Sequence, residues 1–205
     1  MIQNIVFDMG GVLLRFEPEL FVSRYTDSEE DRTLLVREVY RSCEWVQLDR
    51  GSLTGEEVWQ AVCARLPERL HGIARKLIFE WDQPAPLPVE GMEELVRELR
   101  GNGYGIYLLS NAGVRHHEYW QHLPVSKLFD KTVISADLLL LKPEKEIYEE
   151  LYRQCGLDPA ECLFIDDLPT NIEGARCTGM DGCVFYNDIP YLRRQLAAKG
   201  VRVSL

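Results

Sequence analysis

The chain of 205 residues is long enough for one domain with an insertion or for two small domains, and its 46% apolar and 27% charged residues exclude disorder as the main state. With 23 Lys and Arg against 33 Asp and Glu, the net charge of −10 argues against a nucleic-acid or anionic-membrane binder, while a locally positive site can still take a small anionic substrate. No apolar run approaches the ~18–20 residues of a membrane span, and the opening MIQNIVFD has no basic segment ahead of a long apolar stretch, so no secretory signal is expected.

Residues 2–7 are short, β-branched and apolar, and they run into Asp8 and Gly10-Gly11. This pattern predicts a buried strand closed by a glycine turn. Residues 17–83 then read as several amphipathic helices without a clear strand. Ser28 with Asp31 and Thr54 with Glu57 have the spacing of capped helix starts, the second after a predicted turn at Asp49-Arg50-Gly51-Ser52. Gln83-Pro84-Ala85-Pro86-Leu87-Pro88 has three prolines in five positions and is predicted as a linker.

Beyond the linker, elements alternate. Helices are expected over 89–100, 114–122, 143–155, 171–178 and 189–199, and strands over 104–109, 132–135, 162–165 and 182–186. Asp158-Pro159-Ala160-Glu161 combines an N-cap residue, a first-turn proline and a box glutamate. Alternating strands and helices predict an α/β fold with a doubly wound parallel sheet. Such sheets bind ligands beyond the carboxyl ends of their strands.

Polar residues collect at those ends. Asp8 closes the first strand, Ser110-Asn111 the second, Asp166-Asp167 a later one, with Asn171 four residues on; Lys142 precedes Pro143. Carboxylates without a Cys or His ligand pattern suit a hard ion such as Mg²⁺. Lys142, Ser110 and backbone N–H groups suit phosphate oxygens, and an aspartate can attack phosphorus. His116, His117 and His122 lack the spacing of a metal pair and are expected on a polar helix face. Trp45, Trp59 and Trp81 are expected mainly as core of the helical insertion. The six cysteines form no C-x-x-C pair and are expected as reduced, mostly buried thiols of a cytoplasmic protein.

Val6-Phe7-Asp8-Met9-Gly10-Gly11, Leu108-Leu109-Ser110-Asn111, Lys142-Pro143 and Phe164-Ile165-Asp166-Asp167 with Asn171 resemble, in order, the four motifs of the haloacid dehalogenase-like hydrolase superfamily. The insertion is similar to the family's small helical (C1) cap. Asn171-Ile172-Glu173-Gly174-Ala175 resembles the branch that contains bacterial sugar-1-phosphate phosphatases and the phosphatase domain of soluble epoxide hydrolases. The resemblance implies a Rossmann-like core of residues 1–15 and 87–205 with a cap of residues 16–86. It implies Asp8 as nucleophile, and Asp8, the Gly10 carbonyl, Asp167 and Asp166 around Mg²⁺. Ser110, Asn111 and Lys142 would hold phosphate, with Asn171 supporting the acidic loop. Arg15, Phe16 and Trp45 are candidate substrate contacts.

One position departs from the family pattern. The second aspartate, which protonates the leaving group, is here Gly10. Such acid–base help is worth ~10²–10⁴-fold. The expected activity is a Mg²⁺-dependent phosphatase on a small phosphorylated metabolite, best a sugar 1-phosphate, in a monomer or weak homodimer. A non-catalytic relative and a metal-independent haloacid dehalogenase are the alternatives.

Overall fold

The computed structural model describes residues 1–83 and 87–205. Part of the proline segment predicted as a linker, residues 84–86, lies outside the described residues.

Strand β1 (Asn4–Phe7) leads into a helical segment: α1 (Pro18–Ser23), α2 (Glu29–Leu35), a π-turn over Val36–Tyr40, α3 (Cys43–Arg50), α4 (Gly55–Cys63) and α5 (His71–Phe79). Then come α6 (Met92–Gly101), β2 (Gly105–Ser110), α7 (His116–Trp120), β3 (Lys131–Ile134), α8 (Ser135–Leu138) and α9 (Lys145–Cys155). The chain ends with β4 (Cys162–Asp166), α10 (Pro169–Cys177), β5 (Asp181–Val184) and α11 (Ile189–Ala198). No helix among the described residues is long and apolar enough to cross a membrane.

Among the described residues the strands form one parallel sheet in the order β3-β2-β1-β4-β5. The chain winds outward from β1 to β3, then crosses to the other side of β1 for β4. The direction of winding reverses between β1 and β4, and that reversal opens a crevice at their carboxyl ends. Alternation along β1 builds the two flanking layers. Ile5 and Phe7 pack with α6 and α11 residues such as Leu95 and Leu192, while Val6 packs with Tyr148 and Ile172 from α9 and α10.

The helices between Pro18 and Phe79 bury their own apolar cluster, which includes Leu35, Val58, Leu70 and Leu77. Both predicted caps in this region form. Ser28 Oγ accepts the Asp31 N–H, and Thr54 and Glu57 close a reciprocal capping box. Of the turn predicted at Asp49-Arg50-Gly51-Ser52, the first half is helical, because α3 continues through Arg50, and the chain turns at Gly51-Ser52. Gly51, at φ 82°, ends the helix with its N–H on the last-turn carbonyls. The helix start predicted at Asp158 is a single 3₁₀ turn over Pro159–Glu161, because β4 begins at Cys162. The four-leucine run at 138–141 includes the last residue of α8, a short helix that its sequence does not announce.

Candidate active site

Asp8 follows β1 directly, and Asp166 ends β4, so the sheet register brings the two strand ends side by side. Carboxylate oxygens of Asp8, Asp166 and Asp167 lie within 4.8 Å of one another. Lys142 reaches in from the loop before α9. Its Nζ lies 2.7 Å from Asp8 Oδ1 and 2.8 Å from Asp166 Oδ2, and donates to the Leu109 carbonyl at 3.0 Å. An ammonium has three donors, and here all three have partners.

The three carboxylates are not equivalent. Asp166 is fully buried and saturated. Its Oδ1 accepts the Leu168 N–H at 2.8 Å, the Asn171 carboxamide bridges both oxygens at 3.1 and 3.0 Å, and Lys142 takes Oδ2. The Asn171 carboxamide is thus spent on Asp166, at the end of β4. Asp8 has Lys142, but burial still pushes its carboxyl up to about 7; Lys142 pulls down, and Asp166 and Asp167 add to the rise. Asp167 is pushed up to about 6 by burial and by Asp166. Burial works against the Lys142 charge, but Asp166 and Asp8 outweigh it and hold the ammonium above its ordinary value.

Gly11 brings backbone close to this cluster. Gly11 has φ 74°, and a Cβ there would fall 2.4 Å from Asp167 Oδ2, so the carboxylate lies directly over a bare backbone. Gly10 adds no side chain, and a Cβ there would meet only Phe16 at 3.7 Å.

A cavity of about 740 Å³ opens above the strand ends, lined by Asp8, Gly10, Asn111, Lys142, Asp167 and Asn171 at its floor. Its upper walls are Phe16, Trp45, Leu53, Phe79 and Trp81 from the helical segment and Val114 and Tyr119 from the core. Phe16 packs edge-on against Trp81 at 5.3 Å and lies 5.9 Å from the Trp45 ring, so these aromatics form one wall.

Most of the residues expected from the motifs meet here, but several do different work. Ser110 is buried at the end of β2 and is not part of the cavity lining. The Asn111 side chain, expected on phosphate, is spent on the Lys142 backbone. It accepts the Lys142 N–H at 2.9 Å and donates to the Lys142 carbonyl at 3.1 Å. Phe16 and Trp45 do line the cavity. Arg15 does not: its side chain is half-exposed and pairs with Glu17 two residues on. Trp59 stays outside the cavity lining and donates to the His71 carbonyl.

The expectation of a polar histidine face is overturned for His116, which is 1% exposed, lines the cavity and has no partner for either ring nitrogen among the described residues. It stacks on Trp120, and burial pushes it down to about 4. His117 does face outward, 3.0 Å from Asp137. All six cysteines are free, and four of them are at least partly buried.

Two contributors carry no motif. Asp49 lines the cavity from the last turn of α3, beside Gly51. Ser135 is fully buried and joins the helical segment to the core. Its Oγ donates to the Asp49 carbonyl at 2.5 Å and accepts the Ala112 N–H at 2.9 Å.

The family model of haloacid dehalogenase-like hydrolases matches residues 2–179, which contain every part of this site. The chain belongs to that family. It is 28% identical over 178 residues to a sesquiterpene phosphatase from Aspergillus oryzae, covering 86% of each chain. It is 25% identical to a D-ribitol-5-phosphate phosphatase from Bacteroides thetaiotaomicron over 195 residues, 88% of this chain and 90% of that one. A family enzyme from the same bacterium, crystallised with magnesium and inorganic phosphate, superposes with a TM-score of 0.69 at 23% identity, over 94% of this chain and 99% of that one. That likeness is one of fold.

Proposed function

We propose that the chain is a Mg²⁺-dependent phosphomonoesterase that works through an aspartyl-phosphate on Asp8, with the helices of Pro18–Phe79 as a cap over the core. The observation that carries this reading is the charge balance at the strand ends. Three carboxylates within 4.8 Å share one ammonium, and two of them are held well above their ordinary pKa. The kinship with phosphatases supports the same activity.

The donor set fits a hard divalent cation. It is all oxygen, and of the two carboxylates that are not saturated by hydrogen bonds, Asp8 and Asp167, the second lies directly over the Gly11 backbone. Asp8, Asp167 and the Gly10 carbonyl would hold Mg²⁺, and Asp166 would hold Lys142 rather than the ion. Bound there, the ion supplies positive charge to the phosphoryl oxygens and keeps Asp8 ionised at neutral pH.

The residues then divide the work. One Asp8 oxygen attacks phosphorus while Lys142, fixed by Asp166 and Leu109, offsets charge on the phosphoryl group. Asn111 fixes the Lys142 backbone, which places the ammonium without using a side-chain donor on phosphate. Water then attacks the phosphorus of the aspartyl-phosphate, and Asp8 is restored.

The cavity lining also bears on the substrate. Phe16, Trp45, Leu53, Phe79 and Trp81 face the space beyond the phosphate position. Such walls suit a phosphate ester with an apolar or aromatic body better than a sugar 1-phosphate, whose hydroxyls would lose hydrogen bonds there.

The test is phosphate release from a panel of isoprenoid, aromatic and sugar phosphates, sugar 1-phosphates included, in Mg²⁺ and in EDTA. Mg²⁺-dependent release that Asp8→Asn abolishes is expected. Release unaffected by EDTA, or halide release from 2-haloacids, would overturn the reading in favour of a dehalogenase. No release at all would leave a binding protein.

A further inference from the structure

We propose that Asp49, from the helical segment, supplies the acid–base function that Gly10 cannot. This rests on the phosphatase reading above and adds a catalytic residue to it. Phosphoryl transfer to Asp8 leaves an ester oxygen that needs a proton unless the leaving group is already acidic. The nucleophile's own loop has no side chain to give one, since position 10 is glycine and the space beside it is open to Phe16.

The ionisable candidates in the cavity lining are few. Asp8, Lys142 and Asp167 are committed to the nucleophile, phosphate and metal roles. Glu118 is mostly exposed and pairs with Arg115, whose guanidinium also pairs with Asp82, and the buried Tyr119 hydroxyl donates to Met9 Sδ. His116 is held down near 4 by burial and stacks against Trp120. Asp49 remains, and it lines the same cavity as Asp8.

Its position is held by the core rather than by the helical segment alone. The carboxyl meets the Gly113 backbone amide, three residues beyond Ser110, and the Trp45 side chain. The Asp49 carbonyl takes the buried Ser135 hydroxyl at 2.5 Å. Gly51 lets the end of α3 touch the core, since a Cβ there would fall 2.5 Å from the Ala136 carbonyl. Arg50 fastens the same turn through Glu144 and the Leu139 carbonyl. A carboxyl on a turn fixed in this way, lining the same cavity as Asp8, has the placement that a general acid needs.

Its protonation state fits as well. Burial pushes Asp49 up to about 8; the Gly113 amide and Trp45 pull down, and the Asp8 charge adds to the rise. Burial thus favours the protonated form that a general acid must bring.

In the first step an Asp8 oxygen bonds to phosphorus. The bond from phosphorus to the ester oxygen breaks, its electron pair stays on that oxygen, and the Asp49 proton moves there, so the alcohol leaves neutral. In the second step the Asp49 carboxylate takes a proton from water as the water oxygen attacks phosphorus. The Asp8–phosphorus bond breaks with its pair returning to Asp8. Inorganic phosphate leaves, and Asp49 is protonated again.

The experiment compares kcat/KM of the wild-type chain, Asp49→Asn and Asp49→Glu, in Mg²⁺, on an alkyl phosphate and on dinitrophenyl phosphate. The dinitrophenolate needs no proton to leave. Asp49→Asn is expected to lose ~10²–10⁴-fold on the alkyl ester and less than about tenfold on the dinitrophenyl ester, with Asp49→Glu recovering part of the alkyl activity. An equal loss on both esters in Asp49→Asn and Asp49→Glu, or an undiminished alkyl activity, overturns the proposal and leaves the phosphatase standing. A wild-type chain that hydrolyses neither ester overturns both.

Discussion

Replacing Lys142 by methionine isolates the electrostatics of the site from its chemistry. Methionine fills much of the same volume, so the change removes charge more than packing. In the wild-type chain the Lys142 ammonium lies 2.7 Å from Asp8 and 2.8 Å from Asp166, and it is 4% exposed. Truncating one partner of a buried ion pair costs ~3–5 kcal/mol because the other charge is left without compensation. Asp166 keeps the Asn171 and Leu168 donors, so Asp8 bears most of the loss. Its carboxyl, already pushed up to about 7, rises further. The sign follows from proton counts. A carboxyl whose folded pKa exceeds its unfolded value binds more protons folded than unfolded, so stability falls as pH rises between the two values. The deficit of Lys142→Met should therefore be widest near pH 8 and narrow toward about pH 5, where Asp8 is neutral in both chains. For a chain of this length, ~3–5 kcal/mol corresponds to a Tm lowered by ~6–20 °C. Urea unfolding and thermal scans of both chains in EDTA, at the two pH values, measure it. A deficit under ~1 kcal/mol near pH 8, the size of an exposed pair, would refute the reasoning, as would one that widens on acidification.

The raised carboxyls of Asp8 and Asp167 predict that the metal-free wild-type chain itself loses stability as pH rises from about 4 to about 7, and that added Mg²⁺ raises Tm more near pH 8 than near pH 5, as thermal scans would register. Gly11→Ala should weaken Mg²⁺ dependence by ~10–100-fold in half-saturating concentration, because its methyl would displace Asp167 Oδ2 from 2.4 Å; a Mg²⁺ titration of phosphate release reads this. The same change should cost ~1 kcal/mol or more in a urea titration, since φ there is 74°. Ser135→Ala leaves the part-buried Asp49 carbonyl and the buried Ala112 N–H without their shared partner and should cost ~1–3 kcal/mol by urea unfolding.

Residues whose role follows from local order were legible in the sequence, and residues whose role depends on distant partners were not. An apolar run ending in Asp8 and another ending in Asp166-Asp167 could be placed at strand ends from their own neighbours, and the parallel register then brought them together. The α/β alternation gave the sheet for the same reason, because each strand and helix carries its own period. The use of Asn111 was hidden, because what its carboxamide binds is a backbone 31 residues away. The fate of Arg15 turned on a competitor two residues along, Glu17, which holds the guanidinium at the surface. Asp49-Arg50-Gly51 looked like an ordinary turn because glycine so often marks one. Its significance lies in what Gly51 and Asp49 touch, Ala136 and Gly113, on segments that nothing in the local pattern connects to it. His116 shows the same limit from the other side. The spacing of three histidines excluded a metal pair, but it carried no information on burial, which Trp120 and Tyr119 impose by packing around the ring. Asp8 and the charges around it are therefore written in short motifs, while the groups proposed to complete the chemistry are placed by the contact between the helical segment and the core. A substitution at that contact should alter rate and substrate preference while leaving the motif residues in place.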